Sequence, residues 1–186
     1  GCEWGCFDYS QQEPRLVVHY ASLDQDTSVF DVKEAYEDGD ADFHTIVAKM
    51  ADIPRSAAKT INLGLFYGMG KAKLQAELGV SKDKAEELFS IYHSRVPFVK
   101  SLTKSVSNRA QQRGQIRTLL GRLCRFHLWE PNTFGMHKAL PFEQAVQEHG
   151  PGIKRAYTYK ALNKLIQGSA ADMTKKSMLD LYKEGI

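Results

Sequence analysis

The sequence has no apolar run long enough to cross a membrane, and its first residues, GCEWGCFDYS, show no charged leader followed by an apolar segment. We therefore expect neither membrane insertion nor secretion. Cysteine is scarce: Cys2, Cys6 and Cys124 are an odd number, and no second pair accompanies Cys2 and Cys6 to complete a zinc site. This pattern predicts reduced thiols and a cytoplasmic setting. The hydrophobic fraction of 42% and the charged fraction of 25% exclude a disordered chain.

Acidic residues are missing from one long stretch. Residues 95–125 carry eight Lys or Arg and no Asp or Glu, whereas residues 1–54 carry twelve Asp or Glu and only three Lys or Arg. The net charge of +3 hides this separation. A polyanion could lie along the basic segment while the acidic segment holds cations, or both segments could be solvated helix faces. The charge distribution alone favours neither of the two interpretations.

The apolar periodicity predicts a mostly helical chain. A helix should begin at Pro54 and end at Gly68 or Gly70, and a long one should run from Pro97 to about Arg113. Further helices are predicted in the segments EPRLVVHYA, SVFDVKEAYEDG, DFHTIVAKMA, KAKLQAEL and SKDKAEELFSIYHSR.

Local signals add detail to this prediction. Ser81 and Asp52 should each cap the amino end of the helix that follows. Gly114 should end a helix before a hairpin in QIRTLLGRLCRF, and HLWEPNTFGMHKALP should be irregular. CFDYSQ resembles the end of a short strand. We expect the last helices to run from about Ile153 to Gln167 and from Ala170 to the end.

One predicted helix carries an unusual face. Arg55, Lys59, Leu63 and Tyr67 are spaced by four residues, so each side chain is only about 40° further around the helix than the one before. Two of the four are cations, which are expensive to bury without partners, so this face should meet an anion or solvent. Arg and Lys suit phosphate oxygens, and a tyrosine offers a surface on which a base can stack. An exposed Arg and Lys pair without a ligand is the alternative.

Two carboxylates follow the predicted strand end. Asp8 comes directly after the apolar stretch and Glu13 lies in the next turn. Carboxylate oxygens are the ligands that Mg²⁺ prefers, but one carboxylate is a poor magnesium site without a second one or the phosphates of a ligand. A helix-capping role for Asp8 is the simpler alternative.

Three segments together resemble family A DNA polymerases, the DNA polymerase I-like group. These are DYSQQE (Asp8 to Glu13) with Arg15, RSAAKTINLGLFYG (Arg55 to Gly68) and LNKLIQGSAADM (Leu162 to Met173). The resemblance covers essentially the whole chain and implies an α+β, predominantly helical fold that is part of a right-hand polymerase. It implies a palm segment at 1–30, helical fingers at 31–112, and a return to the palm with duplex-contacting helices at 113–186.

The first segment would belong to the catalytic palm. By resemblance, Asp8 would bind both catalytic Mg²⁺ ions, and Tyr9, Ser10 and Gln11 would lie beside the triphosphate. Glu13 would close the sugar pocket against a 2′ hydroxyl, so the resemblance implies a preference for deoxynucleoside triphosphates.

The second segment would be the nucleotide-binding helix of the fingers. By resemblance, Arg55 and Lys59 would hold the triphosphate, and Lys59 could act as general acid toward pyrophosphate. Leu63 would pack on the sugar and base, and Tyr67 would border the templating position. His44 matches a family position near the β-phosphate, although a lone histidine is more often structural.

The third segment would contact primer-template DNA. Asn163 and Gln167 would reach the minor groove near the primer end, where acceptors occur on every base pair. The basic run, with Arg113 and Arg122, would face backbone phosphates, so affinity should fall steeply with salt.

The chain departs from the family pattern at several positions. Leu63 replaces an aromatic residue, Gln12 replaces an aliphatic one, and Tyr159 stands where some relatives have Arg. Pro14 after Glu13 indicates a particular branch, for which we expect a viral one. The second catalytic aspartate of the family lies beyond Ile186, so we expect that this chain alone does not extend primers and that it belongs to a longer or split polymerase.

These observations leave two other functions open. A single-subunit RNA polymerase places Arg, Lys and Tyr-Gly on a comparable helix, although Glu13 argues against acceptance of a 2′ hydroxyl. A non-catalytic DNA-binding fragment is the other alternative. For a split enzyme, a second polypeptide would supply the missing aspartate. The expected location is the cytoplasm of a bacterium or of a virus-infected cell.

Overall fold

The computed structural model describes residues 5–24, 26–39, 42–66, 71–133 and 135–185, and most of these are helical. A short 3-10 helix (Thr27–Val29) precedes the second α-helix, and another (Thr158–Lys160) precedes the last. In this part of the chain the α-helices are α1 (Gln12–Leu23), α2 (Phe30–Glu37), α3 (Phe43–Ala51), α4 (Arg55–Phe66), α5 (Lys71–Leu78), α6 (Lys82–Arg95), α7 (Pro97–Arg113), α8 (Phe142–His149) and α9 (Ala161–Lys183).

Two small antiparallel sheets lie between α7 and α9. The first is a hairpin of β1 (Gln115–Arg117) and β2 (Leu123–Arg125), in which Ile116 lies opposite Cys124. The second has the order β4-β3-β5, with β3 at its centre. Its strands are β3 (Leu128–Pro131), β4 (Leu140–Pro141) and β5 (Ile153–Arg155). The fold is therefore α+β with a strong helical majority, as the sequence predicts.

One hydrophobic core joins α1 through α7, α9 and the β1–β2 hairpin. Helix α1 packs against α2, α7 and α9, while α3 packs against α4 and α6. The largest side chains that are fully buried include Tyr92, Phe43, Phe66 and Phe98, and the ring of Phe43 lies within 6.4 Å, centre to centre, of both Phe66 and Phe98. Burial of these aromatic surfaces fixes α3, α4 and α7 relative to one another.

Several local predictions are confirmed. The Ser81 hydroxyl caps α6 by accepting a hydrogen bond from the backbone N–H of Lys84 at 3.3 Å. Gly114 ends α7 in the left-handed conformation, with φ 67°, and the predicted hairpin follows it. Pro54 precedes α4, and its carbonyl accepts the N–H of Ala58 at 3.0 Å. Gly68 and Gly70, the predicted end of α4, lie outside the described residues.

Two predictions near the amino end are wrong. The segment from Gly5 to Tyr9 is not a strand, since none of the described strands pairs with it and an unpaired strand lacks the hydrogen bonds that stabilise it. Asp52 does not cap α4. It is the C-cap of α3 instead, in the left-handed conformation with φ 53°, and its N–H donates to the carbonyls of Ala48 and Lys49.

The predicted boundaries between 128 and 186 are also wrong. The expected irregular segment contains β3 and β4, and the expected helix from Ile153 to Gln167 begins as strand β5, because Arg155 pairs with Trp129. Helix α9 then continues through Gly168 without a break. A Cβ at Gly168 would lie 2.7 Å from Thr118 Cγ2, so this glycine allows the hairpin to approach the helix rather than ending it.

Candidate functional site

The exposed face of α4 carries the predicted cations. Arg55 and Lys59 are exposed and Leu63 is partly buried, whereas Ala58 and Ile61 on the other side of the helix are fully buried. Lys59 forms no hydrogen bond or ion pair with any residue that the structure describes. Its ammonium is therefore available to an anion from solvent. Tyr67, the predicted fourth member of this face, lies outside the described residues.

Asp42 holds Arg55 at the start of α4. Arg55 Nε donates to Asp42 Oδ2 at 2.7 Å and to Thr45 Oγ1 at 3.1 Å. Asp42 also caps α3 by accepting the N–H of His44 at 3.3 Å. Burial raises the pKa of Asp42, but hydrogen bonds from Thr45, Arg55 and His44, together with the charge of Arg55, outweigh burial and lower the pKa to about 2.

Asp42 was not predicted as a site residue. The pair with Arg55 joins two helices across 13 residues, so neither helical spacing nor charge along one helix indicates it. The one local signal is the position of Asp42 directly before the apolar segment FHTIVAKMA, which is typical of an N-cap.

His44 lies next to the cations of α4. Its ring is partly buried, and its Nδ1 lies 3.1 Å from the side-chain nitrogen of Asn62. Burial lowers the pKa of His44; the charge of Asp42 raises it, and the charges of Arg55 and Lys59 lower it further, so that the pKa lies below its ordinary value of 6.5. A lowered pKa favours the neutral imidazole of His44, which can donate a hydrogen bond without adding a third positive charge.

The loop around Asp8 is held by two hydrogen bonds. Asp8 itself is exposed, and the hydroxyl of Tyr9 hydrogen-bonds to the hydroxyl of Ser177 on α9. Arg15 Nε donates to the carbonyl of Ser10 at 3.1 Å, which ties the loop to α1. The exposed carboxylate of Asp8 is thus presented by a loop whose neighbouring residues are anchored.

Gln11 connects this loop to the helices that precede α4. It has φ 53°, in the left-handed region, and its Oε1 accepts the hydroxyl of Tyr36 at 3.0 Å and the N–H of Phe43 at 2.8 Å. Phe43 is the residue between Asp42 and His44. Gln11 of the Asp8 loop and Arg55 of α4 therefore both contact the start of α3. The sequence places Gln11 beside the triphosphate by resemblance, and the structure shows its side chain in this inter-segment contact.

Glu13 lies in the first turn of α1, where it is partly buried. Its neighbour Gln12 donates to the carbonyl of Ala170 at 3.1 Å, so the amino end of α1 is fixed against α9. Asp8, the predicted metal ligand, and Glu13, the predicted sugar-pocket residue, thus stand on either side of the turn into α1.

The two predicted minor-groove residues have different surroundings. Asn163 Nδ2 donates to the carbonyl of Phe66 at 3.0 Å, and so binds the last residue of α4. Gln167, one turn further along α9, is exposed.

Of the two predicted phosphate-binding arginines, one is engaged in the fold. Arg113 is exposed in the last turn of α7. Arg122 donates from Nε to Asp172 Oδ1 at 2.9 Å and from a terminal guanidinium nitrogen to the carbonyl of Gly168 at 2.8 Å. Arg122 therefore fastens the β1–β2 hairpin to α9.

The metal-binding prediction has limited support in the described residues. These residues contain no group of three or more His, Cys, Asp or Glu side chains that could hold a metal ion. Asp8 would provide only one carboxylate, and Mg²⁺ takes several oxygen ligands. The side chains that the structure describes therefore do not make a two-ion site by themselves.

In the same ranges, no helix combines the length and the apolar character that crossing a membrane requires.

Comparison with known proteins gives a consistent result. Residues 2–185 match the protein family described as DNA polymerase family A. A DNA-directed DNA polymerase of Pseudomonas phage M6 is 32% identical over 228 aligned positions, covering 100% of this chain and 31% of the phage protein. DNA polymerase I of Helicobacter pylori (strain ATCC 700392 / 26695) is 32% identical, covering 92% of this chain and 17% of that protein.

A solved structure is also similar. The polymerase domain of Pol1 from M. smegmatis, in complex with DNA primer-template and dNTP, superposes with a TM-score of 0.67 at 27% sequence identity. The match covers 96% of this chain and 30% of that one. The chain thus spans less than a third of the length of these relatives.

Proposed function

Since the chain belongs to DNA polymerase family A and its fold is part of a polymerase fold, we propose that it forms the nucleotide-binding part of a template-directed DNA polymerase. The reaction would transfer a nucleotide from a deoxynucleoside triphosphate to a primer 3′ hydroxyl during DNA replication. One observation carries the proposal: α4 exposes Arg55 and Lys59 on one face, beside the partly buried His44. We further propose that residues 1–30 and 113–186 are palm and residues 31–112 are fingers.

The cationic face of α4 would bind the triphosphate. Arg55 can offer a planar fork of donors to phosphate oxygens, while Lys59 offers a compact charge and a proton. The exposed Lys59 ammonium would donate that proton to the departing pyrophosphate. The neutral imidazole of His44 would donate a hydrogen bond to the β-phosphate. Leu63 and, from the resemblance, Tyr67 would pack against the sugar and base.

The Asp8 loop would contact the reacting end of the nucleotide. Tyr9, Ser10 and Gln11 would lie along the triphosphate, and Glu13 would exclude a 2′ hydroxyl. Asp8 would contribute one carboxylate to a pair of Mg²⁺ ions, which supply charge stabilisation to the transferring phosphoryl group when bound. Because the described residues do not complete this site, its other ligands would come from substrate phosphates and from a further part of the polymerase, on the same or a second polypeptide.

The DNA duplex would lie against α9 and the basic segment. Gln167 is free to reach the minor groove, and Arg113 is exposed to backbone phosphates. Asn163 and Arg122 would contribute while keeping their bonds to Phe66 and Asp172, and so would join DNA binding to the packing of α4 and the hairpin. A cytoplasmic location belongs to the same proposal.

Binding of inorganic tripolyphosphate and of a deoxynucleoside triphosphate to the purified chain tests this proposal. Lys59→Ala and Arg55→Ala should each weaken binding about tenfold, as expected for loss of a charge-assisted contact of about 1.4 kcal/mol. Lys49→Ala, at an exposed lysine in the last turn of α3, is the matched control and should leave binding unchanged. Equal effects of all three substitutions would contradict the assignment of the α4 face.

A chimera tests the catalytic part of the proposal. The chain would replace the corresponding segment of the phage M6 relative, and primer extension would be measured with deoxynucleotides and ribonucleotides. We expect extension by the chimera and none by the chain alone. Glu13→Ala in the chimera should raise ribonucleotide incorporation. An unchanged ribonucleotide fraction would show that Glu13 does not guard the sugar pocket.

A further inference from the structure

Three buried or partly buried side chains form a continuous hydrogen-bonded series behind the cationic face of α4. The hydroxyl of Tyr92 on α6 donates to Asn62 Oδ1 on α4 at 2.5 Å, and Asn62 Nδ2 lies 3.1 Å from His44 Nδ1 on α3. Tyr92 and Asn62 are completely buried, and His44 is partly exposed. The series therefore leads from the core to the surface where Arg55 and Lys59 stand.

The direction of these hydrogen bonds is set at the buried end. Asn62 Oδ1 is the only acceptor of the Tyr92 hydroxyl among the residues that the structure describes. If the Asn62 amide were reversed, its nitrogen would face the tyrosine oxygen, and the hydroxyl proton would be buried without an acceptor at a cost of about 1–3 kcal/mol. The arrangement that satisfies both side chains has Tyr92 donating to Asn62 and Asn62 donating to His44.

This direction determines the chemical form of His44. Because Nδ1 accepts a hydrogen bond, the ring proton of the neutral imidazole lies on Nε2. Protonation of Nδ1 would place two N–H groups against each other. The charged groups that act on the ring are Asp42, which favours the cation, and Arg55 and Lys59, which disfavour it.

We infer that Asn62 and Tyr92 are positioning residues that hold His44 as a neutral Nε2–H hydrogen-bond donor beside the cationic face of α4. The identity of its acceptor, a phosphate oxygen, rests on the proposed function. The arrangement lets a third side chain donate to an anion without the repulsion that an imidazolium would suffer next to Arg55 and Lys59. Neither Asn62 nor Tyr92 needs to touch the nucleotide for this role.

Nitrogen-15 NMR of the histidine side chains in the full chain tests the inference directly. We expect His44 at pH 7 to show the Nε2–H tautomer, with Nδ1 unprotonated, and His44→Gln identifies its signals. The exposed His19 serves as an internal reference with both tautomers in exchange. A His44 ring with its proton on Nδ1, or one that averages the tautomers as His19 does, would overturn the inference without any variant being made.

Two substitutions test the role of the partners. Asn62→Asp offers only acceptors, so the proton of His44 should move to Nδ1 and the pKa of His44 should rise above its ordinary value. Tyr92→Phe frees Asn62 to rotate, so the Nδ1–H form should appear and the pKa should rise toward the ordinary value. Tyr182→Phe, at an exposed tyrosine on α9, is the control. If Tyr92→Phe does not fold, the tautomers of His44 in Asn62→Asp and in the unmodified chain test the inference. An unchanged tautomer in a folded variant contradicts it.

Addition of inorganic tripolyphosphate separates this inference from the proposed function. If the Nε2–H signal of His44 shifts on addition, both are supported. If His44 has the Nε2–H tautomer but tripolyphosphate leaves its signals unchanged, the phosphate site is wrong, and the positioning role of Asn62 and Tyr92 is still supported.

Discussion

Two arginine–aspartate pairs in this chain look alike in geometry and differ in what surrounds the carboxylate. Arg55 and Asp42 are 2.7 Å apart, with 56% and 32% of their side chains exposed. Arg122 and Asp172 are 2.9 Å apart, with 50% and 8% exposed. The arginines are about equally accessible, so the burial of the aspartate distinguishes the two pairs.

The buried carboxylate belongs to a structural contact. Burial raises the pKa of Asp172, but hydrogen bonds from Thr118, Arg122 and the N–H of Leu120, with the charge of Arg122, outweigh burial and lower the pKa. All three donors come from the β1–β2 hairpin and its turn. The hairpin would lose its main polar contact with α9 if this carboxylate were removed, whereas an incoming anion can compete with the more exposed Asp42 for Arg55.

Removal of Asp172 should have the largest effect on stability. Asp172→Ala removes the buried carboxylate that accepts from the Thr118 hydroxyl and from Nε of the half-exposed Arg122. We expect the free energy of unfolding to fall by about 3 kcal/mol. Urea denaturation measures this change. The control is Asp180→Ala, whose exposed pair with Lys176 should contribute less than about 0.5 kcal/mol. Comparable losses in the two variants would remove the distinction between buried and exposed pairs.

A methyl group at Gly168 should act on the same contact. The added Cβ would lie 2.7 Å from Thr118 Cγ2, which cannot move while Thr118 is held by Asp172. Overpacking should outweigh the helix preference of alanine, for a net loss of about 1 to 2 kcal/mol. Gly152→Ala, where a Cβ meets nothing within 4 Å, is the control in the same denaturation assay. A stabilised Gly168→Ala would show that the hairpin does not press on α9.

Acid should weaken the pair between Asp42 and Arg55. The pKa of Asp42 is lowered from 3.8 to about 2, so its contribution is present above about pH 4 and is lost as pH falls toward 2. The full shift corresponds to about 2.5 kcal/mol, and solvent screening at a carboxylate that is about one-third exposed should reduce it to about 1 kcal/mol. Asp42→Asn keeps the helix cap, so the stability difference between it and the unmodified chain should shrink between pH 5 and pH 2. A constant difference would contradict the assignment.

The smallest effect should be on anion binding. Asp42→Asn frees Arg55 from a competing carboxylate, and we expect affinity for inorganic tripolyphosphate at pH 7 to rise about threefold, or about 0.7 kcal/mol. Asp180→Asn removes the same charge at a distant exposed site and should change affinity less. Equal gains would indicate a general effect of net charge and not a local competition for Arg55.

The comparison also explains which features could be predicted from the sequence. The exposed face of α4 depends on helical spacing within one segment, so Arg55 and Lys59 were correctly expected on one exposed face. Ser81 and Gly114 act within a few residues of their own position, and both predictions are confirmed. Local chemistry was sufficient for these features.

Features that depend on distant contacts could not be predicted in the same way. Asp42 and Asn62 acquire their roles from residues 13 and 30 positions away. Glycine is typical of helix ends, yet Gly168 lies inside α9, where a hairpin 50 residues earlier packs against it. Ile153–Arg155 is extended because β3 provides a partner for it. In each case a tertiary contact overrides the local preference.

The bond from Asn163 to the carbonyl of Phe66 has a mechanical consequence for α4. It holds α4 at Phe66, while the amino half of the helix is held by the pair between Arg55 and Asp42 and by the buried Ala58 and Ile61. A 12-residue helix is about 18 Å long, so a tilt of about 20° around the end held at Phe66 displaces the other end by about 6 Å. Such a tilt would displace the guanidinium of Arg55 much further than Leu63, because Leu63 lies close to the held end.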